Sequence, residues 1–304
     1  MIPPGAYDVT AVIAVYNGAD LIRRAIDSVL AQTRAVDELI VVDDGSTDST
    51  REIVTGYGSR IRYIYQQNGG VAAARNNGVR SATSEWIAFL DHDDEWLPHK
   101  IERQLLLLRA NPDAAICYSG YWFHTLEGTK QVEHLPKEKL WPAARFRNPF
   151  PPSVALVRRE TLLASGGFDE RLKGASCEDW DLFARLLSAN QAIETSEPLA
   201  NYYEVETSNS RNYRRMLPNT LSIVDKSLLS GLSGMSKALW RRRIKSVLYY
   251  RAAISARELG DPAVWKFLLA SFVQWPLPDA APRFKTLITQ LRKATAAPPK
   301  DYSL

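Results

Sequence analysis

Two cysteines, three methionines and four histidines are few for 304 residues. Cys117 and Cys177 lie far apart without metal-ligand spacing, so neither a disulfide framework nor a zinc cluster is expected, and a reducing compartment fits. No window of 18 or more residues is apolar throughout, so no membrane-spanning helix is expected. The opening Met1-Ile2-Pro3-Pro4-Gly5 lacks the charged and apolar regions of a signal peptide. The expected setting is therefore the cytoplasm. An excess of one charge is missing too. Lys and Arg total 38 against 34 Asp and Glu, and no basic stripe is concentrated enough to call for nucleic acid. Glycine is scarce after the first expected strand, where two common nucleotide binders need it. The turn Tyr16-Asn17-Gly18-Ala19-Asp20 has neither the Gly-x-Gly-x-x-Gly of a dehydrogenase nor the glycine-rich basic loop of a nucleotidyltransferase.

What the chain does contain is an alternation of buried runs and helical patterns. Residues 9–15 form a nearly continuous, β-branched run, as in a strand covered on both faces. Leu21, Ile22, Ala25, Ile26, Val29 and Leu30 then recur at helical spacing, with Asp20 as the expected N-cap. Further strands are expected at 39–42, 61–65, 86–90, 114–118 and 153–157. Helices are expected at about 50–54, 71–81 and 98–108, and again from Glu178. This order predicts an α/β fold with a mainly parallel sheet flanked by helices. Ligands of such sheets bind beyond the carboxyl ends of the strands. Three polar turns sit there: Tyr16-Asn17, Asp43-Asp44 and Asp91 to Asp94. Residues 126–152, with five prolines and mixed charges, read as a long loop covering that edge. The chain is helical in character from about residue 211, and the tail from Ala294 reads as loose.

Three acidic pairs carry candidate chemistry, each with a plainer alternative. Asp91 and Asp93, two apart at the open end of a buried strand, suit a hard divalent cation that also binds substrate phosphates. Alternatively, Asp93 or Asp94 caps the next helix or shapes the turn. At Asp43-Asp44 a carboxylate could accept a base N–H or ribose hydroxyls, or the pair could form a turn before a helix capped by Ser46 or Thr47. Glu178-Asp179 could supply a general base, or simply favour the helix macrodipole.

Six motifs stand in order: Val-Ile-Ala-Val-Tyr-Asn-Gly, Val-Val-Asp-Asp-Gly-Ser-Thr-Asp, Asn-Gly-Gly-Val-Ala-Ala-Ala-Arg-Asn-Asn-Gly, Phe-Leu-Asp-His-Asp-Asp, Gly-Gly-Phe-Asp-Glu and Cys-Glu-Asp-Trp-Asp-Leu. Together, over about residues 9–203, they closely resemble the inverting family 2 glycosyltransferases of GT-A fold. The resemblance implies a Rossmann-like catalytic domain at 1–210, with a nucleotide-binding half at about 1–125 and an acceptor half at about 126–210. A C-terminal helical region, 211–304, would follow. It also implies that Ala14, Val15 and Tyr16 line the nucleotide base, that Asp44 binds it while Asp43 shapes the turn, and that Arg75 reaches the nucleotide. Asp91-His92-Asp93 matches the Asp-X-Asp motif, with Asp93 the principal ligand of Mn²⁺ or Mg²⁺, Asp91 its support and His92 a spacer. Asp179 matches the catalytic base. The implied partners are a nucleotide-diphosphate sugar donor, a UDP-sugar first, and a glycan or lipid-linked glycan acceptor of cell-surface polysaccharide synthesis. The Gln/Arg-X-X-Arg-Trp motif of processive members is missing, as is any histidine after the Glu-Asp helix.

The C-terminal helices admit two readings. Trp240, Ile244, Val247 and Leu248 recur on one face, and Val264, Leu268 and Phe272 on another, as in helices packed on a catalytic domain. Interleaved Arg and Lys with Trp240, Tyr249, Tyr250, Trp265 and Trp275 also match an interfacial helix, placing the chain at the inner face of the plasma membrane. The rival functions are a sugar-nucleotide binding protein without turnover and a nucleotidyltransferase.

Overall fold

The computed structural model describes residues 7–133, 136–172, 177–204 and 213–276; His134 and the tail from Ala294 lie outside them. Strand β1 (Val9–Val15) is buried at every position, and its polar side chain, Thr10, is satisfied by Ser84 and Glu38. Strands β2 (Glu38–Asp43) and β4 (Trp86–Asp91) flank it in parallel, and β3 (Arg62–Tyr65) extends the sheet beyond β2. The chain thus runs outward from β1 to β3 and returns as β4 on the other side of β1. Between the carboxyl ends of β1 and β4 lies the switch point, where sheets of this kind bind ligands. The register sets Ala14 beside Asp91 and Val15 beside Asp43.

Helices α1 (Ile22–Leu30), α2 (Thr50–Thr55) and α3 (Val71–Ser81) make the crossovers. Asp20 does not cap α1. Leu21 holds the N-cap position without any side-chain cap, and the Gly18 carbonyl accepts from the N–H groups of both Leu21 and Ile22. Neither Ser46 nor Thr47 caps α2, whose N-cap position is Ser49. Helix α3 lies directly on β1, because a Cβ at Gly78 would overlap Val12. That close approach explains a mid-helix glycine, which otherwise costs about 1 kcal/mol relative to alanine.

Beyond β4 the sheet changes direction. Strand β8 (Ala155–Arg158) runs antiparallel to β4, and β6 (Ala114–Thr125) antiparallel to β8. Strand β9 (Gln191–Tyr203) then lies parallel to β6, with the short β5 (Glu95–Trp96) against it. Residues 126–152 are not one long loop. They contain β7 (Gly128–Val132), a hairpin partner of β6, and α5 (Lys137–Ala144), which buries Leu140 and Ala144. Strand β7 is mostly exposed and therefore shows no apolar alternation. Strand β9, for which the sequence pattern made no case, slips register against β6 at three places and contains Pro198.

Helix α7 (Glu178–Ala189) has two apolar faces. Leu182, Phe183, Leu186 and Leu187 enter the core around the sheet. Trp180 and Ala184 enter a second core built with α8 (Tyr213–Ile223), α9 (Gly234–Glu258) and α10 (Val264–Gln274). Ile244, Leu248, Val264 and Leu268 are buried there. The first turn of α7, which carries Glu178 and Asp179, is thereby held from two sides. Among the described residues, no helix is long and apolar enough to cross a membrane.

Candidate active site

At the carboxyl ends of β1 and β2 the turns are tied together. Asn17, in the left-handed region at φ 49°, donates its N–H to Ser46 Oγ (2.9 Å) and accepts from the Thr47 N–H (2.8 Å). Asp43 accepts from the Ser46 N–H (2.8 Å) and the Tyr63 hydroxyl (2.6 Å), which closes the turn. Asp44 is buried and anchors the entry to α3. Its Oδ1 accepts from Gln66 Nε2 (2.7 Å) and the Gly69 N–H (2.8 Å), and its Oδ2 from the Gly70 N–H (2.7 Å). Each carboxylate oxygen can accept about two hydrogen bonds, so one position remains on Oδ2. Ala14, Val15, Tyr16, Asp44 and His92 line one cavity of about 430 Å³, which Arg215 of α8 also borders. His92 packs over Gly18, and so forms a wall of that cavity as well as separating two aspartates.

The three aspartates after β4 have different surroundings. Asp94 is fully buried and accepts from the Ser153 hydroxyl and the Tyr203 N–H (3.1 Å), clamping β9 to the turn. It does not cap the next helix, α4 (Lys100–Ala110), which has no side-chain cap. Asp91 donates its N–H to Ser153 Oγ (3.1 Å), and its Oδ1 accepts from Arg75 Nη2 at 2.5 Å. Among the described residues, no other residue donates a hydrogen bond to the Asp93 carboxylate, which has only its own backbone N–H. Burial, and then the Asp91 charge, raise its pKa. Arg24 steadies this turn by donating to the Asp93 carbonyl while its guanidinium stacks on Tyr203 at 3.8 Å.

This arrangement fits a hard divalent cation. A half-buried carboxylate with no donor from another residue, next to a second carboxylate, is relieved by a positive charge with oxygen preference. No group of three or more His, Cys, Asp or Glu side chains placed to hold a metal ion occurs among the described residues, so those residues would supply at most two ligands here. Phosphate oxygens and water would complete such a site, as is usual for Mg²⁺.

Arg75 lies outside the 430 Å³ cavity. It is buried, with Nη2 on Asp91 (2.5 Å), Nη1 on Glu178 Oε1 (2.8 Å) and its guanidinium 5.2 Å from the Phe168 ring centroid. Although burial opposes its charge, Asp91 and Glu178 hold the proton more firmly than usual. One cation thus joins α3, the end of β4 and the start of α7.

On the far side of that bridge, Asp179 lines a second cleft of about 260 Å³, shared with Asp91, Tyr121, Arg147 and Tyr202. Burial, and then the Glu178 charge, push its pKa up to about 7, against the pull of Arg75 and two hydrogen bonds. Those bonds come from the Trp180 N–H (2.7 Å) and Asn148 Nδ2 (2.6 Å). A carboxylate poised near neutrality is suited to general-base work. Asn148, Ser153 and Arg24 have no part in the motif reading. The only local hint for Asn148 is the Pro149-Phe150-Pro151-Pro152 run after it, which is anchored by Phe150 stacking on Tyr118 at 4.7 Å.

Arg75→Met is expected to lower stability by about 3–5 kcal/mol, because two carboxylates stay behind without their buried cation. Chemical denaturation checks this; a loss below about 1 kcal/mol would contradict a structural ion-pair bridge.

The sequence profile of glycosyl transferase family 2 matches residues 10–162. An uncharacterized glycosyltransferase of Rickettsia typhi is 37% identical over 218 residues, 66% of each chain, so the match spans just under two thirds of that relative. A putative teichuronic acid biosynthesis glycosyltransferase of Bacillus subtilis is 38% identical over 125 residues, 40% of this chain and 49% of its own. Among solved structures, residues 1–349 of S. aureus TarS in complex with UDP-GlcNAc superpose with TM-score 0.67 at 17% identity, over 87% of this chain and 81% of that one. The mannosyltransferase PcManGT of Pyrobaculum calidifontis, in complex with GDP-Man and Mn²⁺, gives TM-score 0.61 at 20% identity, over 95% and 82%. These two share the fold: a GT-A sheet followed by C-terminal helices. With the profile match covering the turns after β1, β2 and β4, the chain belongs to the family 2 glycosyltransferases.

Proposed function

We propose that the chain transfers a sugar, with inversion, from a nucleotide-diphosphate donor, a UDP-sugar first, to a hydroxyl of a glycan or lipid-linked glycan in cell-surface polysaccharide synthesis. One observation carries the reading. His92, between Asp91 and Asp93, lines the nucleotide-sized cavity that also holds Asp44, while Asp91 itself lines the cleft that holds Asp179, whose pKa is raised to about 7. The TarS and PcManGT structures hold UDP-GlcNAc and GDP-Man, and the latter also Mn²⁺, which supports a nucleotide-sugar donor and a divalent cation here.

The base would sit against Tyr16 and the remaining acceptor position of Asp44 Oδ2. Asp93, with Asp91 beside it, would hold Mn²⁺ or Mg²⁺, which supplies neutralisation of charge on a departing diphosphate. Arg75 fixes Asp91, and Arg24 fixes the backbone of Asp93, so neither carboxylate must reorganise as charge develops. Asp179 takes the proton of the incoming hydroxyl at its carboxylate. Asn148 and the Trp180 N–H hold that carboxylate in one orientation. The hydroxyl oxygen then attacks the anomeric carbon from the face opposite the diphosphate, and a single displacement inverts it. No covalent glycosyl-enzyme is involved, so no separate nucleophile is needed.

Helix α10 presents Trp265, Leu269 and Val273 at four-residue spacing, 37%, 67% and 62% exposed. This supports peripheral contact with the inner face of the plasma membrane. Co-sedimentation with phosphatidylglycerol vesicles is expected, and Leu269→Glu should reduce it; equal sedimentation of the variant would contradict the contact.

Asp93→Ala is expected to remove the Mn²⁺-dependent part of UDP binding in a thermal-shift assay. Asp179→Asn should keep that binding and lower UDP release from a UDP-sugar by about 100-fold or more. Near-normal turnover by Asp179→Asn would remove it from the role of base.

The rate should also fall as pH drops through about 7, where Asp179 takes up its proton. Asn148 donates to the ionised form, so Asn148→Ala should move this limb to higher pH. A limb unmoved in kcat/KM profiles would show that Asn148 does not tune the base.

A further inference from the structure

We propose that the acceptor unit entering the Asp179 cleft is an uncharged pyranoside, seated against the Tyr202 ring and hydrogen-bonded by its hydroxyl. This rests on the reading that Asp179 takes the proton of the acceptor, and it names the class of sugar that offers the hydroxyl. Asp91, Asp179 and Tyr202 line one cleft of about 260 Å³, with Tyr121 and Phe150 along its walls. Aromatic surface with a few polar groups is the usual lining of a small-molecule site. It suits a pyranose, which has C–H faces and a polar edge. Tyr202 is held in place by its own strand. It lies on β9 opposite Phe123 of β6, and its ring meets Tyr121 edge-on at 5.8 Å and Phe123 at 5.6 Å. The next residue, Tyr203, donates its N–H to Asp94 and stacks on Arg24. The strand carrying Tyr202 is therefore tied to the turn of Asp91, Asp93 and Asp94.

No hydrogen bond engages the Tyr202 hydroxyl among the described residues. Burial, and then the charges of Asp94, Asp91 and Asp179, raise its pKa, so it stays protonated and acts as a donor. Few other donors line the cleft. Asn148 is engaged by Asp179 (2.6 Å), while Asp91, Glu133 and Asp179 only accept when ionised. The ring and glycosidic oxygens of a pyranoside also only accept, and its hydroxyls do both. Tyr202 therefore serves an oxygen that the carboxylates cannot, while the carboxylates accept from the sugar hydroxyls. The charge of the cleft sets what the sugar must not carry. Arg147 on its wall and Arg75 behind Asp91 face Asp91, Glu133, Glu178 and Asp179, so negative charge is in excess even when Asp179 is protonated. A divalent cation at Asp93 and the diphosphate of a donor would largely cancel each other. A carboxylate or phosphate on the acceptor ring would meet like charge in a partly desolvated space, which is a general means of rejecting a wrong partner.

Saturation-transfer NMR of the full chain with UDP and Mg²⁺ tests this. The probes are the methyl glycosides of glucose, galactose, mannose and N-acetylglucosamine, with methyl glucuronide and methyl galacturonide. At least one neutral glycoside should bind about tenfold or more tighter than either uronide. That gap should narrow when about 0.5 M NaCl is added, because salt screens repulsion but not a steric clash. Tyr202→Phe should weaken the best neutral glycoside by about three- to tenfold, and Tyr202→Ala by more. UDP binding with Mg²⁺ should stay unchanged in both variants, which reports the fold. A uronide that binds as tightly as the best neutral glycoside, a gap that salt leaves unaltered, or unaltered affinity in Tyr202→Phe would each overturn the proposal while leaving the cleft as the acceptor site. If no glycoside binds a chain that binds UDP, or if Tyr202→Ala changes nothing, the acceptor reading of the cleft falls with it.

Discussion

The site depends on a single buried cation. Arg75 leaves the middle of α3 and reaches both Asp91, at the end of β4, and Glu178, at the start of α7. Desolvating an arginine and two carboxylates together is unfavourable unless their geometry is good. Helix α3 can deliver that geometry because Gly78 lets it lie against β1, and α7 can because its two faces are fixed in two cores. The ion pairs therefore join the half of the molecule that holds a nucleotide-sized cavity to the half that holds Asp179.

That bridge also divides the acids by function. Asp91 is held by Arg75 and Asp94 by Ser153 and Tyr203, which leaves Asp93 as the carboxylate of the turn with no donor from another described residue. Across the bridge, Glu178 accepts from Arg75, and its charge helps to push neighbouring Asp179 towards neutrality. Among the described residues Glu178 Oε2 is buried without a partner, beside an Asp179 whose pKa is raised. Acidic residues that look alike in sequence thus become a clamp, a candidate ligand and a candidate base through the donors that reach them.

Much of this was legible in the sequence where burial is complete. Strand β1, helix α3 and the start of α7 lie where apolar periodicity and the motifs put them, because each is covered on both faces or on a well-defined stripe. Elements whose faces are wet or whose register slips were illegible. Strand β7 is exposed, β9 has irregular pairing with β6, and α5 is hidden among prolines. The same limit applied to side chains. Asp44 and Asp179 stand out as acids after a strand and on a helix. Asn148 comes from a segment without periodicity and meets Asp179 only in three dimensions. Arg75 could be singled out, but its burial and its two carboxylate partners, more than 10 residues away in the chain, could not be read from spacing.

If a base and a departing diphosphate face each other across this bridge, the chemistry must be a single displacement. Proton NMR of the sugar first released or transferred from an α-linked UDP-sugar, recorded before mutarotation, tests this most directly. The account predicts a β-configured product. An α-configured first product would contradict both the single displacement and the role of Asp179 as its base.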